Sequence, residues 1–347
     1  MDFEKLKRFS ADIRIWTIRE IAEAGFGHIG GSASIADVLA VLYGGMMKVD
    51  PENPKWEDRD WFVLSKGHCA PALYAALALK GFFPMDWLKT LNKGGTSLPS
   101  HADMRRVPGV DMSTGSLGQG ISAAVGIALA NKIQGRDSWT YCIVGDGECN
   151  EGQVWEACQA ATHYGLDRFI TFVDWNKKQL DGTLEQISNP VDLAAKFAAF
   201  GFQTQTVAGY DVEAIWKAVE QAKAAPGKPH CIVLDTYKGL GVDFAEKEVF
   251  NHYLTFGHEK GEQGVTTSIS GQCGQSPYPL RREEPLDDTL QGKYETFGQF
   301  MEKAKAVPQG SNEVIYIGHG RLRRTVIGMD KRQPTEAELE EMKALVR

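Results

Sequence analysis

The stretch Tyr141-Cys142-Ile143-Val144-Gly145-Asp146-Gly147-Glu148-Cys149-Asn150-Glu151-Gly152, followed further on by Val173-Asp174-Trp175-Asn176, decides the reading of this chain. A short apolar run, predicted as a strand over Thr140 to Val144, ends in a glycine-punctuated turn that carries a carboxylate, and a helix is predicted over 151 to 163. A second short strand, Phe169 to Val173, leads to Asn176. Asp146 and Asn176 are 176 − 146 = 30 residues apart, each just past a strand end. If the two strands are neighbours, a carboxylate and an amide oxygen converge on one crevice. Hard oxygen donors with no cysteine or histidine beside them suit magnesium or calcium completed by water and phosphate oxygens. Gly145 and Gly147 let the backbone approach a phosphate, and the following helix offers its positive N-terminal end. The plainer alternative, a turn in which Asp146 only caps a helix, is outweighed by Asn176 and by Gln179-Leu180-Asp181-Gly182 behind it.

Working outward, apolar residues at helical spacing mark 9 to 24 (Ile13, Ile18, Ile21) and 34 to 47 (Val38, Leu42), and Trp61-Phe62-Val63-Leu64 is a strand closed by Ser65-Lys66-Gly67. A helix follows over 70 to 80, and another from Gly118 to Ile133. Beyond Phe169 to Val173 come helix 191 to 199, strand Phe202 to Val207, helix Val212 to Ala224 and strand Cys231 to Asp235. Short strands rich in Val, Ile and Phe alternating with helices predict an α/β fold: a doubly wound, mostly parallel sheet with helices on both faces. Ligands of such sheets sit at the carboxyl ends of the strands, which puts the loops 65 to 71, 145 to 152, 174 to 182 and 236 to 243 around the site.

The chain has 347 residues, 43% of them hydrophobic and 24% charged, the composition of a globular protein long enough for a large domain plus a smaller one. Its net charge of −7 and the lack of a long basic run exclude a protein built to grip nucleic acid. The longest uninterrupted apolar run, Ala70 to Leu79, is far short of a bilayer span, and the mixed charges of the N-terminus do not make a secretory signal, so a cytoplasmic location is expected. Six cysteines without a C-x-x-C pair read as buried reduced thiols. Past about residue 258 the texture turns to Ser, Gly, Gln and Pro, a linker, after which 289 to 306 is a candidate helix, Val314 to Ile317 a candidate strand and Thr335-Glu336-Ala337-Glu338 a capping box opening a terminal helix.

Four further segments, Gly27-His28-Ile29-Gly30-Gly31-Ser32, Leu64-Ser65-Lys66-Gly67-His68, Pro99-Ser100-His101 and Ser113-Thr114-Gly115-Ser116-Leu117-Gly118-Gln119-Gly120, together with the Asp146 to Asn176 segment, resemble the successive signatures of transketolase. They stand in order, at comparable spacing, from about residue 5 to about 255. The resemblance implies a domain over 1–258 that binds the diphosphate and metal of thiamine diphosphate, with 259–347 a C-terminal extension forming a linker plus a small lobe or interface segment. It implies that Asp146, Asn176 and the backbone carbonyl of Lys178 hold magnesium, or calcium. It implies cofactor contacts by His68, Gly115, Leu117, Gly145, Asp146, Gly147, Glu148, Asn176, Glu151 and Glu156, the last two also near a subunit interface. His28, His68 and His101, each in a Gly- or Pro-punctuated loop, match the histidines that assist proton transfers around the sugar. His252, in Phe250-Asn251-His252-Tyr253, aligns with the family's later active-site histidine without the usual tryptophan before it and glycine after it.

A full transketolase continues with a pyrimidine-binding domain that supplies a catalytic glutamate, and then a third domain. After residue 258 there remain 347 − 258 = 89 residues, too few for both. The resemblance therefore implies the N-terminal subunit of a split transketolase, transferring a two-carbon ketol unit from a ketose or ketose phosphate to an aldose. A separate pyrimidine-binding subunit would complete the cofactor pocket in a heterotetramer or larger assembly. The alternatives are a deoxyxylulose-phosphate synthase-like enzyme, the alpha subunit of a 2-oxoacid dehydrogenase, which would lack the three histidine loops, and a noncatalytic regulatory partner.

Overall fold

In the computed structural model of the chain, which describes residues 1–247, 251–255, 267–270, 312–315, 326 and 333–344, the apolar runs around Asp146 and Asn176 lie side by side. β2 (Trp61–Leu64), β3 (Thr140–Gly145), β4 (Phe169–Trp175), β5 (Gln203–Ala208) and β6 (His230–Asp235) form a fully parallel five-stranded sheet in the order β2-β3-β4-β6-β5. Gly145 of β3 is opposite Asp174 of β4, so Asp146 and Asn176 leave adjacent strand ends on one edge of the sheet.

Successive strand residues point to opposite faces, and both faces are apolar, as a parallel sheet between two helical layers requires. Phe62, Leu64, Tyr141, Ile143, Ile170 and Phe172 face a layer built from α1 (Phe3–Ala24), α3 (Ala36–Val41), α4 (Ala70–Lys80) and α9 (Val212–Ala224). Val63, Cys142, Val144, Val173 and Val233 face α5 (Gln119–Ile133), α6 (Gly152–His163) and α8 (Leu193–Ala199). Five cysteines, Cys69, Cys142, Cys149, Cys158 and Cys231, are buried free thiols. None of the helices among the described residues is long and apolar enough to cross a membrane.

Helix boundaries follow local capping. α1 starts six residues before the periodicity suggests, because the Asp2 side chain accepts from the Lys5 N–H, and it stops at left-handed Gly25. Asp211 and Asp192 cap α9 and α8 in the same way. The single helix predicted over 34 to 47 is instead broken: α2 (Gly30–Ser34) and α3 meet at Ile35, and a wide turn follows over Leu42–Met46, where Gly45 has φ 157°. The strand predicted to begin at Phe202 begins at Gln203.

A two-residue antiparallel pair escaped the periodicity. β1 (Phe26–Gly27) pairs with β7 (Leu254–Thr255), beyond the short helices α7 (Leu184–Ile187) and α10 (Asp243–Lys247). The chain divides into two compact units, Met1–Phe256 and Gly257–Arg347. In the second unit, β8 (Thr267–Ser270) pairs in parallel with β9 (Asn312–Ile315), which supplies a partner for the strand expected at Val314 to Ile317, two residues earlier than read. Glu336–Ala344 is a helix, α11, opened by the expected capping box: the Glu338 N–H donates to Thr335 Oγ1 and the Thr335 N–H to Glu338 Oε2. The helix expected over 289 to 306 lies outside the described residues.

Candidate functional site

The loops after β2, β3, β4 and β6 meet at the carboxyl edge of the sheet. Asp146 follows β3 and is buried; its carboxylate accepts from the N–H of Gly147 at 2.7 Å and from that of Lys177 at 2.6 Å. Burial, and then the nearby Asp174, push this carboxyl up to about 7. Such a group gains from a cation placed against it. Asn176 donates from its side-chain NH2 to Asp174 at 2.7 Å, while its oxygen accepts from the Lys178 N–H at 3.2 Å. The 176–183 loop is tightly closed by Gln179 N–H to Gly182 O at 2.9 Å and by a capping box between Thr183 and Gln186 at the start of α7. A Cβ added to Gly147 would stand 3.0 Å from that of Gln179, so the turns carrying Asp146 and Lys178 approach to backbone distance. An aspartate, an amide oxygen and a peptide carbonyl form an oxygen donor set of the kind magnesium and calcium take. Among the described residues no group of three or more His, Cys, Asp or Glu side chains is disposed to hold a metal.

Two buried lysines that the sequence reading passed over converge beside it. Lys66, at the end of β2, ion-pairs with Asp174 and donates to Gly31 O at 3.2 Å. Burial, the largest single effect, opposes its charge, but Asp174, Cys69 and Asp146 together outweigh it and hold the ammonium above its ordinary value. Lys238, after β6, donates to the carbonyls of Lys178 at 3.3 Å and Gln179 at 3.2 Å. Burial, then repulsion from Lys66, lowers it to about 8. Lysines are almost never fully buried unless paired: Lys66 has Asp174 for a counter-charge, and Lys238 has peptide carbonyls and His252 Nδ1. The available signal was their place in the loops 65 to 71 and 236 to 243; Asp174 was likewise legible as a charge at the end of an apolar run.

The four candidate histidines are together. Ring centroids of His28 lie 5.4 Å from His68, 5.6 Å from His101 and 5.2 Å from His252, and His68 lies 4.7 Å from His252. β1 delivers His28 and its partner β7 delivers His252; Tyr253 stands 4.9 Å from the His28 ring. The His101 loop is held by the Tyr74 hydroxyl, which donates to the carbonyls of Pro99 and His101. Burial lowers all four: His28 to about 4, His252 to about 2, His68 far below its usual range, and His101 more modestly. At neutral pH the cluster is uncharged, and burial opposes protonation of each ring. His252 Nδ1 is 3.1 Å from Lys238 Nζ, which links the histidines to the 176–183 loop.

The 113–120 loop closes one side. Gly115, at φ 156°, passes so close to His101 that an added Cβ would lie 3.2 Å from the ring, which is why a side chain is excluded there. Leu117 is 38% exposed, offering a surface rather than filling the core. Glu148 is buried and fully engaged by the chain: it accepts from Ser65 Oγ at 2.6 Å, Gly118 N–H at 2.8 Å and Gly145 N–H at 2.9 Å, pinning three loops together. Glu151 and Glu156 are exposed at the start of α6. His230 is buried away from the cluster, its Nε2 3.0 Å from Ala225 O, while His258 and His319 lie outside the described residues.

A parallel sheet between helical layers, with buried polar loops meeting at its carboxyl edge, defines an α/β domain of the ligand-binding kind. Residues 6–266 match the transketolase, thiamine diphosphate binding domain family, and the chain belongs to that family. It is 52% identical over 253 residues to the 6-deoxy-6-sulfo-D-fructose transketolase subunit SqwG of Clostridium sp. (strain MSTE9), covering 73% of this chain and 92% of that protein. It is 37% identical over 265 residues to an apulose-4-phosphate transketolase subunit of Phocaeicola vulgatus, covering 76% of this chain and 94% of that one. Among solved structures, transketolase from Campylobacter jejuni superposes with a TM-score of 0.69 at 33% identity over 76% of this chain and 43% of its own. Transketolase from Leishmania mexicana gives 0.66 at 35% identity over 68% and 37%. The chain thus spans about two-fifths of the solved transketolases it matches.

Proposed function

We propose that the protein is the diphosphate-binding subunit of a split transketolase, which moves a two-carbon ketol unit from a ketose to an aldose with thiamine diphosphate and magnesium. The observation that carries this reading is the convergence of the Asp146, Asn176 and Lys178 donor set, two buried lysines and four neutral histidines on one strand edge. The similarity to named transketolase subunits, of which this chain covers 92% and 94%, supports the split arrangement. It favours that arrangement over a deoxyxylulose-phosphate synthase, part of a 2-oxoacid dehydrogenase or a regulatory partner.

Thiamine diphosphate, when bound, supplies the carbanion chemistry that breaks and remakes the carbon–carbon bond. The residues of this chain do the rest. Asp146, Asn176 Oδ1 and the Lys178 carbonyl would hold magnesium, and Lys66 and Lys238 would offset the diphosphate's remaining charge. His28, His68, His101 and His252, uncharged at neutral pH, would hold the sugar's carbonyl and hydroxyls and receive or return their protons. Gly115 and Leu117 would let the cofactor ring lie close to the backbone. Glu148 acts by fixing the loops, and Glu151 and Glu156 face a neighbouring subunit.

The sugar is a ketose bearing an anionic group, as the names of the related subunits suggest. The rest of the cofactor pocket, with its glutamate, belongs to a separate pyrimidine-binding subunit in a heterotetramer or larger assembly in the cytoplasm. Residues from about 259 pack an interface in that assembly. The test is reconstitution: the full chain mixed with the pyrimidine-binding subunit encoded beside it should transfer ketol units only when both proteins, thiamine diphosphate and magnesium are present. Activity with the partner alone would refute the reading.

A further inference from the structure

Asp174, near the end of β4 and two residues before Asn176, is fully buried. Its Oδ2 accepts three bonds: from the Lys66 ammonium, from the Ser34 hydroxyl at 2.8 Å and from the side-chain NH2 of Asn176 at 2.7 Å. Oδ1 has no hydrogen-bond partner among the described residues, so one oxygen does all the ordering. Ser34 lies on α2 and Lys66 follows β2, so the carboxylate is clamped from two elements besides its own strand.

An ionised carboxylate only accepts hydrogen bonds, so the end of the Asn176 amide turned toward it must be the NH2. The two polar ends of an amide diverge from one carbon. Fixing the NH2 on Asp174 therefore directs Oδ1 the other way, into the turn where the Lys178 N–H meets it at 3.2 Å. We propose that Asp174 is a positioning residue for the metal site, holding the Asn176 amide so that its oxygen, and not its NH2, is presented to a divalent cation beside Asp146. This rests on the reading of Asp146, Asn176 and the Lys178 carbonyl as metal ligands.

The same geometry explains why position 176 carries an amide and not a carboxylate, which is the commoner ligand for a hard cation. An aspartate there would bring two acceptor-only groups to the separation now bridged by an N–H. Residues that orient a metal ligand in this way typically alter metal affinity by about 10- to 100-fold.

The experiment is a Mn2+ titration of the full-length chain assembled with the pyrimidine-binding subunit, with thiamine diphosphate present, free Mn2+ being read by electron paramagnetic resonance and folding of each variant chain by circular dichroism. Asn176→Asp should bind Mn2+ about 10- to 100-fold more weakly than wild type, although it adds a carboxylate. Combining it with Asp174→Asn restores one amide facing one carboxylate and should recover at least about 10-fold of that loss. Asn176→Asp binding as tightly as wild type, or a folded double variant no better than the single one, overturns the inference while leaving the metal site standing. If the double variant does not fold, the Asn176→Asp comparison decides. A wild-type chain that binds no Mn2+ overturns the metal reading and this inference together.

Discussion

His68 and His252 lie with ring centroids 4.7 Å apart, one in the helical turn that follows β2 and the other just before β7. The pairing of Phe26 with Thr255 and Gly27 with Leu254 brings this about, because it returns the late segment to the edge where His28 already stands. Two backbone residues on each side thus complete a four-histidine cluster.

Asp146→Ala removes the charged member of the proposed metal set. Magnesium-dependent affinity for thiamine diphosphate, measured by calorimetry on the assembled complex, should fall by at least about 100-fold. The fold should persist, because the lost carboxylate is one whose ionisation burial already disfavours. Unchanged cofactor affinity would refute the assignment.

The histidines should make the protein sensitive to mild acid. His28 is neutral in the folded chain down to about 4, whereas an unfolded histidine protonates near 6.5. The unfolded state therefore takes up protons first, and stability is lost as pH falls from about 6.5 toward 4, by up to about 3 kcal/mol for this residue. Asp146 works in the opposite direction: its raised value gives stability at low pH that is lost as pH rises through about 7. The comparison must accordingly be between wild type and His28→Asn, measured by urea unfolding at pH 7 and pH 5. The variant should lose less stability on acidification; equal slopes would show that His28 is solvated.

Lys66→Met leaves Asp174 buried without its counter-charge; their side chains are 2% and 0% exposed. A broken buried pair typically costs about 3–5 kcal/mol, which should appear as a large drop in the urea midpoint. Lys238→Met leaves no such charge partner behind. It should fold close to wild type and weaken thiamine diphosphate binding at least about 10-fold, a contrast that separates the lysines' roles.

Deleting the chain after residue 258 should impair assembly with the pyrimidine-binding subunit, read by analytical ultracentrifugation, and lower ketol transfer in proportion. Assembly that survives unchanged while transfer alone is lost would move the tail from the interface to the chemistry.

Much of this was legible along the chain, because it depends on local pattern. Short apolar runs alternating with helical periodicity are enough for a parallel sheet between helical layers. Asp146 and the loops of His28, His68 and His101 announce themselves by nearby glycine or proline, and Asn176 by its place just past a strand end. Aspartate caps and the Thr335 to Glu338 box set helix starts through bonds that span three residues. What the sequence could not decide is whatever depends on contacts between distant segments. His252 lacks the flanking residues that mark its counterpart, yet a two-residue strand, too short to carry a period, places it. The resemblance implies that Glu148 contacts the cofactor; the bonds it accepts from Ser65, Gly118 and Gly145 exist only in the folded chain. Asp174, Lys66 and Lys238 carry no role that the sequence assigns; the fold buries them together. Their roles arise from desolvation and hydrogen-bond geometry, and neither exists until β2, β4 and β6 lie in one sheet.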